Sequence, residues 1–195
     1  MSNIIEWARN FPVWDYNSRN IEKWNELGFS NFSLLRLGYH PLLDRIPKEG
    51  NKDIDVLFYG SIGDRRKVIL DEMLARGINL KAVFGVYGSA RDDLIARSKI
   101  ILNLHHYNSK IFEVVRVFYL MINAKAVVSE IDDSTCVDDL YLGGVKAAKY
   151  DALVDTCVEL LASNEKLIEQ ERLSHETIKK LPQSNELKGL LSGLS

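Results

Sequence analysis

The residues best suited to chemistry lie in four short stretches, each following an apolar run. The first is Tyr59-Gly60-Ser61-Ile62-Gly63-Asp64-Arg65-Arg66. Gly60 and Gly63 let backbone amides come close to a phosphate. Arg65 and Arg66 stand where a following helix would begin, the end whose dipole favours negative charge. The Gly-x-x-Gly spacing is not the Gly-x-Gly-x-x-Gly of dinucleotide binders, and no Gly-Lys-Ser/Thr follows as in a P-loop. A plain tight turn with two solvated arginines accounts for the same residues. The third stretch is the other informative one: His105-His106-Tyr107-Asn108-Ser109-Lys110 runs into an apolar segment that carries Glu113 and Arg116. Lys110, Glu113 and Arg116 are three apart, so in a helix they lie on neighbouring turns. Charges in so apolar a segment are costly unless paired or bound to something. Either Glu113 and Arg116 form an internal ion pair, or the three make a polar wall for a ligand.

The remaining candidates are weaker. His105 and His106 are adjacent and point in different directions. No third ligand sits at a recognisable interval, which argues against zinc. One of them contacts a sugar or phosphate, or merely satisfies loop backbone. Asp53-Ile54-Asp55 has a metal-binding look, but it falls at the amino end of the first strand, on the wrong edge of a sheet. Asp132-Asp133 falls on the right edge, where acidic residues are usually just solvated. No Gly-x-Ser-x-Gly elbow supports a hydrolase.

These stretches need a scaffold, and the hydrophobic pattern provides one. Asp55–Tyr59, Leu80–Phe84, Ile100–Leu104 and Ala126–Val128 read as short buried strands. Between them Arg65–Arg76, Ala90–Ser98 and Ile111–Ile122 read as helices. The alternation predicts βαβ units and a Rossmann-like α/β fold, a parallel sheet with flanking helices and right-handed crossovers. In such a sheet ligands bind at the carboxyl ends of the strands, where all four stretches fall. The pattern divides the chain into 1–53, an N-terminal helical and extended appendage with a linker at 48–53; 54–162, the Rossmann-like core; and 163–195, a helical tail. The appendage contains a helix at Asn20–Leu27 and a strand at Phe32–Leu37. Helices are expected at Ala152–Ala162 and Lys166–Lys180, with a polar, fraying end beyond Pro182.

Composition narrows the function classes. The chain has 195 residues, with 25 Lys+Arg against 27 Asp+Glu. A net charge of −2 lacks the basic footprint of a nucleic-acid binder, so no nucleic-acid partner is expected. The most apolar segment, Ile111–Val128, is interrupted by Glu113, Arg116 and Lys125, short of the ~18 uninterrupted residues a membrane span requires. Two cysteines, Cys136 and Cys157, without metal spacing suit a reducing compartment, and a cytoplasmic location is expected.

Taken as an ordered set, Asp55-Val56-Leu57-Phe58-Tyr59-Gly60-Ser61-Ile62-Gly63-Asp64-Arg65-Arg66, Phe84-Gly85-Val86-Tyr87-Gly88, Ile101–Tyr107 and Lys110-Ile111-Phe112-Glu113 resemble bacterial glycosyltransferases of the GT-B type. The resemblance is to their CgeB-like, group-1-like branch. Pro12–Ile21 and Leu37-Gly38-Tyr39-His40-Pro41 resemble the segment that precedes the nucleotide-sugar domain there. The resemblance implies the C-terminal, donor-binding half of a GT-B fold and hexosyl-type transfer from a nucleotide sugar to an acceptor hydroxyl, without metal or cofactor. Carried over by position, Gly60, Ser61, Arg65 and Arg66 would approach the diphosphate. Gly85, Val86 and Tyr87 would flank the base, and Glu113 would face the ribose or sugar, with Lys110 and Arg116 beside it. No catalytic base is assigned; His105 and His106 are the candidates. Two departures stand out. The family's pair of glutamates is absent, the second position being Met121. The segment before residue 54 is also too short for a second Rossmann domain of roughly 100 residues. That leaves an alternative: a non-catalytic or truncated half that works with a separate N-terminal domain or partner chain. A receiver-like switch on the same fold would need acidic residues where Tyr59-Gly60-Ser61 stands.

Overall fold

The computed structural model describes residues 2–48, 50–106 and 111–193. It opens with α1 (Ser2–Asn10), β1 (Val13–Asp15), α2 (Ser18–Glu26) and β2 (Phe32–Leu34). Here β1 and β2 pair in parallel as a small sheet of their own. Asn17 caps α2 by accepting the Arg19 N–H at 2.9 Å, as an asparagine at this position should. Trp24 of α2 stacks on Phe32 of β2 with ring centroids 4.8 Å apart, closing the βαβ unit.

The main body runs β3 (Ile54–Tyr59), α3 (Asp64–Ala75), β4 (Leu80–Val83), α4 (Gly88–Ala96), β5 (Ser98–Asn103), α5 (Val114–Ile122), β6 (Ala126–Glu130), α6 (Asp139–Leu142), β7 (Lys146–Ala148), α7 (Leu153–Leu161), α8 (Asn164–Lys179) and α9 (Gln183–Ser192). Its sheet has the order β4-β3-β5-β6-β7, every pair parallel. The interior strands β3, β5 and β6 are apolar on both faces because both are covered. Val56, Phe58, Ile100, Leu102 and Val128 face α3 and α7 through Ile69, Met73, Leu153 and Cys157. Leu57, Ile101 and Val127 face the other layer through Ile95, Val117, Leu120 and Ile178. The edge strands β4 and β7 carry lysines and are short, which suits an edge. Chain order reverses between β3 and β5, so the topological switch point lies outside their carboxyl ends.

Two local expectations are corrected. The third core helix starts at Val114, not Ile111: Ile111 bridges to Cys136 and the Phe112 N–H donates to the Cys136 carbonyl at 3.3 Å, so the chain is extended there. Buried Phe112 packs against Tyr141, and that contact outweighs helix continuation. The end beyond Pro182 forms α9, because Gln183 ties it to the front of the chain: Gly38 N–H donates to Gln183 Oε1 at 2.7 Å and Gln183 N–H to the Tyr39 carbonyl at 2.9 Å. A Cβ on Gly38 would lie 2.2 Å from the Leu181 carbonyl, so only glycine permits this approach. The strands β1 and β7 and the helices α1 and α6 were not in the sequence pattern. Among the described residues no helix is long and apolar enough to cross a membrane.

Candidate functional site

At the switch point β3 ends in Tyr59, and Gly60 takes φ +147°, a conformation side-chain-bearing residues avoid. Its own N–H is used in the sheet, donating to the Val83 carbonyl at 2.9 Å, so this amide is not the phosphate donor the turn suggested. What the glycine supplies is space. A Cβ there would lie 3.3 Å from Arg116 Nη2 and 3.5 Å from Arg66 Nη1, so the two guanidinium groups flank the bare backbone.

The two arginines after the turn have separate fates, and neither is solvated. Arg66 is 2% exposed. It donates to the carbonyls of Leu104 at 2.5 Å, Ser61 at 2.9 Å and His105 at 3.3 Å, and approaches Glu113 at 3.5 Å. Burial, then the charge of Arg116, pulls its pKa below the usual arginine value. Arg65 turns the other way, gripping both carboxylate oxygens of the buried Glu130 and lying 4.0 Å over the Tyr150 ring. The expected pairing of Arg65 with Arg66 at one anion is therefore corrected: adjacent residues on α3 point about 100° apart, and a buried carboxylate at the end of β6 captures the first of them.

Glu113 is the N-cap residue of α5, so it is not inside the apolar helix as the spacing suggested. It lies 3.5 Å from Arg66 and 3.6 Å from Arg116, and its side chain is 36% exposed. Arg116 also donates to Asn103 Oδ1 at 3.0 Å and stacks 4.9 Å from the Tyr59 ring centre. Of the two sequence readings, the Glu113–Arg116 contact is present, and both residues line one cavity. Lys110 lies outside the described residues.

That wall belongs to a cavity of about 510 Å³ at the carboxyl edge of β3 and β4. Of the expected residues it brings together Gly60, Gly85, Val86, Tyr87, Glu113 and Arg116. Gly85 has φ +73°, turning the chain after β4 so that Phe84 and Tyr87 stand exposed at the rim. Sequence reasoning missed Arg45, Arg91 and Tyr119, which line the opposite end. The Tyr119 hydroxyl donates to Asp92 Oδ2 at 2.8 Å and accepts from Arg45 Nε at 3.0 Å. Arg91 donates to Asp92 Oδ1 at 2.7 Å and lies 4.8 Å over the Tyr119 ring. Burial alone would raise the Asp92 pKa, but hydrogen bonds from Arg91 and Tyr119 with the nearby positive charges hold it below the ordinary value. Only the i, i+3 step from Arg116 to Tyr119 could have flagged this end, because Arg45 comes from the appendage and Arg91 from α4.

A second, smaller cavity of about 310 Å³ shares Glu113 and is lined by His105, His106, Tyr16, Asn17 and Asn20. His105 is 2% exposed; its Nδ1 lies 3.1 Å from the Ile111 carbonyl, which can only accept, so the proton sits on Nδ1. Burial lowers its pKa and keeps it neutral. His106 Nδ1 meets the Ser61 hydroxyl at 3.3 Å, which ties Ser61 to this side of the turn and away from the larger cavity. Among the described residues no group of three or more His, Cys, Asp or Glu side chains could hold a metal ion.

No family model matches the chain. Two uncharacterized proteins of Acanthamoeba polyphaga mimivirus are similar to it. One is 28% identical over 170 residues, covering 82% of this chain and 54% of the viral protein. The other is 29% identical over 180 residues, covering 85% and 24%. Among solved structures, TarM superimposes with a TM-score of 0.69 at 11% identity, covering 98% of this chain and 45% of that one. A mutant of S. aureus TarM, crystallised with fondaparinux, α-GlcNAc-glycerol and UDP, gives 0.68 at 12% identity, with the same coverage. A glycosyltransferase from Rickettsia africae ESF-5 gives 0.61 at 10% identity, covering 96% and 65%. The chain thus spans about half the length of the first viral relative and of TarM. At these identities the structures show the fold. It is the expected Rossmann-like α/β fold, with a parallel sheet and flanking helices, shared with GT-B-like glycosyltransferase structures.

Proposed function

We propose that the larger cavity binds the nucleoside diphosphate of a nucleotide-sugar donor, and that the protein serves hexosyl transfer to an acceptor hydroxyl as a member of the CgeB-like, group-1-like branch of GT-B enzymes. One observation carries the reading. At the switch point of a fold shared with a UDP-bound structure, a glycine at a φ that side chains avoid, the Arg116 guanidinium and a partly exposed carboxylate, Glu113, line one end of a cavity of about 510 Å³.

In this reading Arg116 faces the diphosphate, with Arg66 behind it adding charge. Glu113 accepts hydroxyl hydrogen bonds from the ribose or sugar, and Phe84 to Tyr87 flank the base. When the bond between the sugar and the diphosphate breaks, its electron pair leaves with the nucleoside diphosphate. The arginines are already in place to stabilise that charge. The acceptor hydroxyl gives its proton to a base. The adjoining cavity offers neutral imidazole at His105 and, at its mouth, His106 as candidates. Arginine charge takes the place of a metal in this scheme, no cofactor is involved, and a cytoplasmic setting belongs to the same proposal.

A second reading is a donor-binding half that works with a separate N-terminal domain or partner chain, in line with a chain that spans about half the length of its longer relatives. Titration of the protein with UDP-, GDP- and dTDP-sugars, read by melting temperature and calorimetry, tests the first claim. Binding is expected, and Arg116→Ala or Glu113→Ala should weaken it strongly; no response to any nucleotide would overturn it. Robust transfer by the isolated chain would then discard the second reading.

A further inference from the structure

Two imidazoles stand at the second cavity, and their ring nitrogens differ in what they meet. His105 is buried and lines the cavity, and its Nε2 has no hydrogen-bond partner. The proton on Nδ1 is taken up by the Ile111 carbonyl at 3.1 Å, so Nε2 carries a bare lone pair. A buried acceptor left unpaired is costly, and the cavity is the open space beside the ring from which a donor can come. In His106, by contrast, Nδ1 is engaged with the Ser61 hydroxyl. The His105 peptide is held at both its N–H and its carbonyl. The N–H donates to Glu130 Oε2 at 3.1 Å, and the carbonyl accepts from Arg66 Nε at 3.3 Å and Arg65 Nη1 at 3.5 Å. Glu130, buried at the end of β6, is itself fixed through both carboxylate oxygens by Arg65.

Resting on the nucleotide-sugar reading above, we propose that His105 takes the acceptor's proton at Nε2 and that Glu130 is its positioning residue. The acceptor oxygen bonds to the anomeric carbon of the sugar. The bond from that carbon to the diphosphate breaks, and its electron pair leaves on the nucleoside diphosphate. The hydroxyl proton passes to Nε2, giving an imidazolium that keeps its Nδ1 proton on Ile111. Burial holds the empty ring neutral; the charges of Glu130 and Glu113 favour the imidazolium and that of Arg65 opposes it. Among the described residues the cavity lining adds no lysine or arginine. Glu130 thus acts on the ring twice, by fixing the peptide that carries it and by its charge.

The test uses the full chain with whichever nucleotide sugar of the panel above binds most tightly, water as the acceptor, and release of nucleoside diphosphate as the readout. The wild-type rate should rise with pH through a limb below the ordinary histidine value of 6.5. His105→Gln should lower kcat on the order of 100-fold and remove that limb, with affinity for the nucleotide within about threefold of wild type. Glu130→Gln should lower kcat about tenfold at unchanged KM and move the limb to lower pH, because a charge that favoured the imidazolium is gone. The same substitution made together with Arg65→Met leaves neither partner of the buried pair alone, which guards against misfolding, and should move the limb the same way by less. A nucleotide sugar that binds but is never cleaved would overturn the inference. So would wild-type turnover in His105→Gln, or a limb unmoved in both Glu130 variants; each of these results leaves nucleotide binding standing. A wild-type chain that binds no nucleotide overturns the nucleotide reading and this inference with it.

Discussion

Two sets of arginines surround the switch point, and they differ in what their donors meet. Arg65 and Arg66 directly follow the glycine turn, yet one is locked to Glu130 and the other to three backbone carbonyls. Arg45, Arg91 and Arg116 come from three separate segments, and all three face one cavity. Proximity to a glycine turn in sequence therefore says less about anion binding than the acceptors each guanidinium finds in the fold. A guanidinium whose donors are satisfied inside holds structure; one with donors left over is available to a ligand.

The contrast can be broken by substitution. The largest effect is expected from Arg66→Ala, which leaves the carbonyls of Leu104, His105 and Ser61 without their donor. A loss of about 3–5 kcal/mol in denaturant unfolding follows, and a loss below about 1 kcal/mol would place Arg66 with the ligand-facing set.

Lys125 sharpens the comparison, as a cation buried at 1% exposure whose hydrogen bond goes to the Pro47 carbonyl at 3.3 Å. Burial, with Lys52 adding to it, lowers its pKa to about 8 from an ordinary 10.5. Below pH 8 the folded and unfolded chains both hold this proton. Between pH 8 and 10.5 only the unfolded chain does, so stability gains from this group as pH rises, by up to roughly 3 kcal/mol. Lys125→Met should be the more stable protein at pH 7, with the difference shrinking across that window in parallel urea titrations. A pH-independent difference would show that Lys125 keeps its proton throughout.

Smaller in free energy, but decisive for the site, is Arg116→Ala. Affinity for UDP should fall roughly 30-fold with folding retained. The smallest effect on affinity belongs to Arg65→Met. Despite its place beside the turn, affinity should stay within about threefold of wild type even as Glu130 loses its partner and stability drops. A large loss of affinity from Arg65→Met alone would reverse the assignment of the two sets.

Much of the fold was legible because β3, β5 and β6 are continuous apolar runs bounded by glycine or polar turns, the mark of strands buried on both faces. What escaped was whatever depends on tertiary partners. The strand Lys146–Ala148 is a three-residue edge without apolar alternation, and α9 is polar and held by a single glutamine reaching Gly38 and Tyr39. Of the residues lining the cavity, Gly60, Glu113 and Arg116 had been singled out by type and spacing. The direction of Arg65 was not, since the carboxylate that captures it lies 65 residues further along. Arg45 and Arg91 gave no signal, for their meeting point, Tyr119 and Asp92, exists only after the sheet has assembled.

The most direct test of the whole account is a crystal structure of the chain with UDP. The diphosphate is expected against Arg116 beside Gly60, and the uracil along the Phe84–Tyr87 turn. A diphosphate seated instead on Arg65, or a nucleotide bound anywhere outside that cavity, would contradict it.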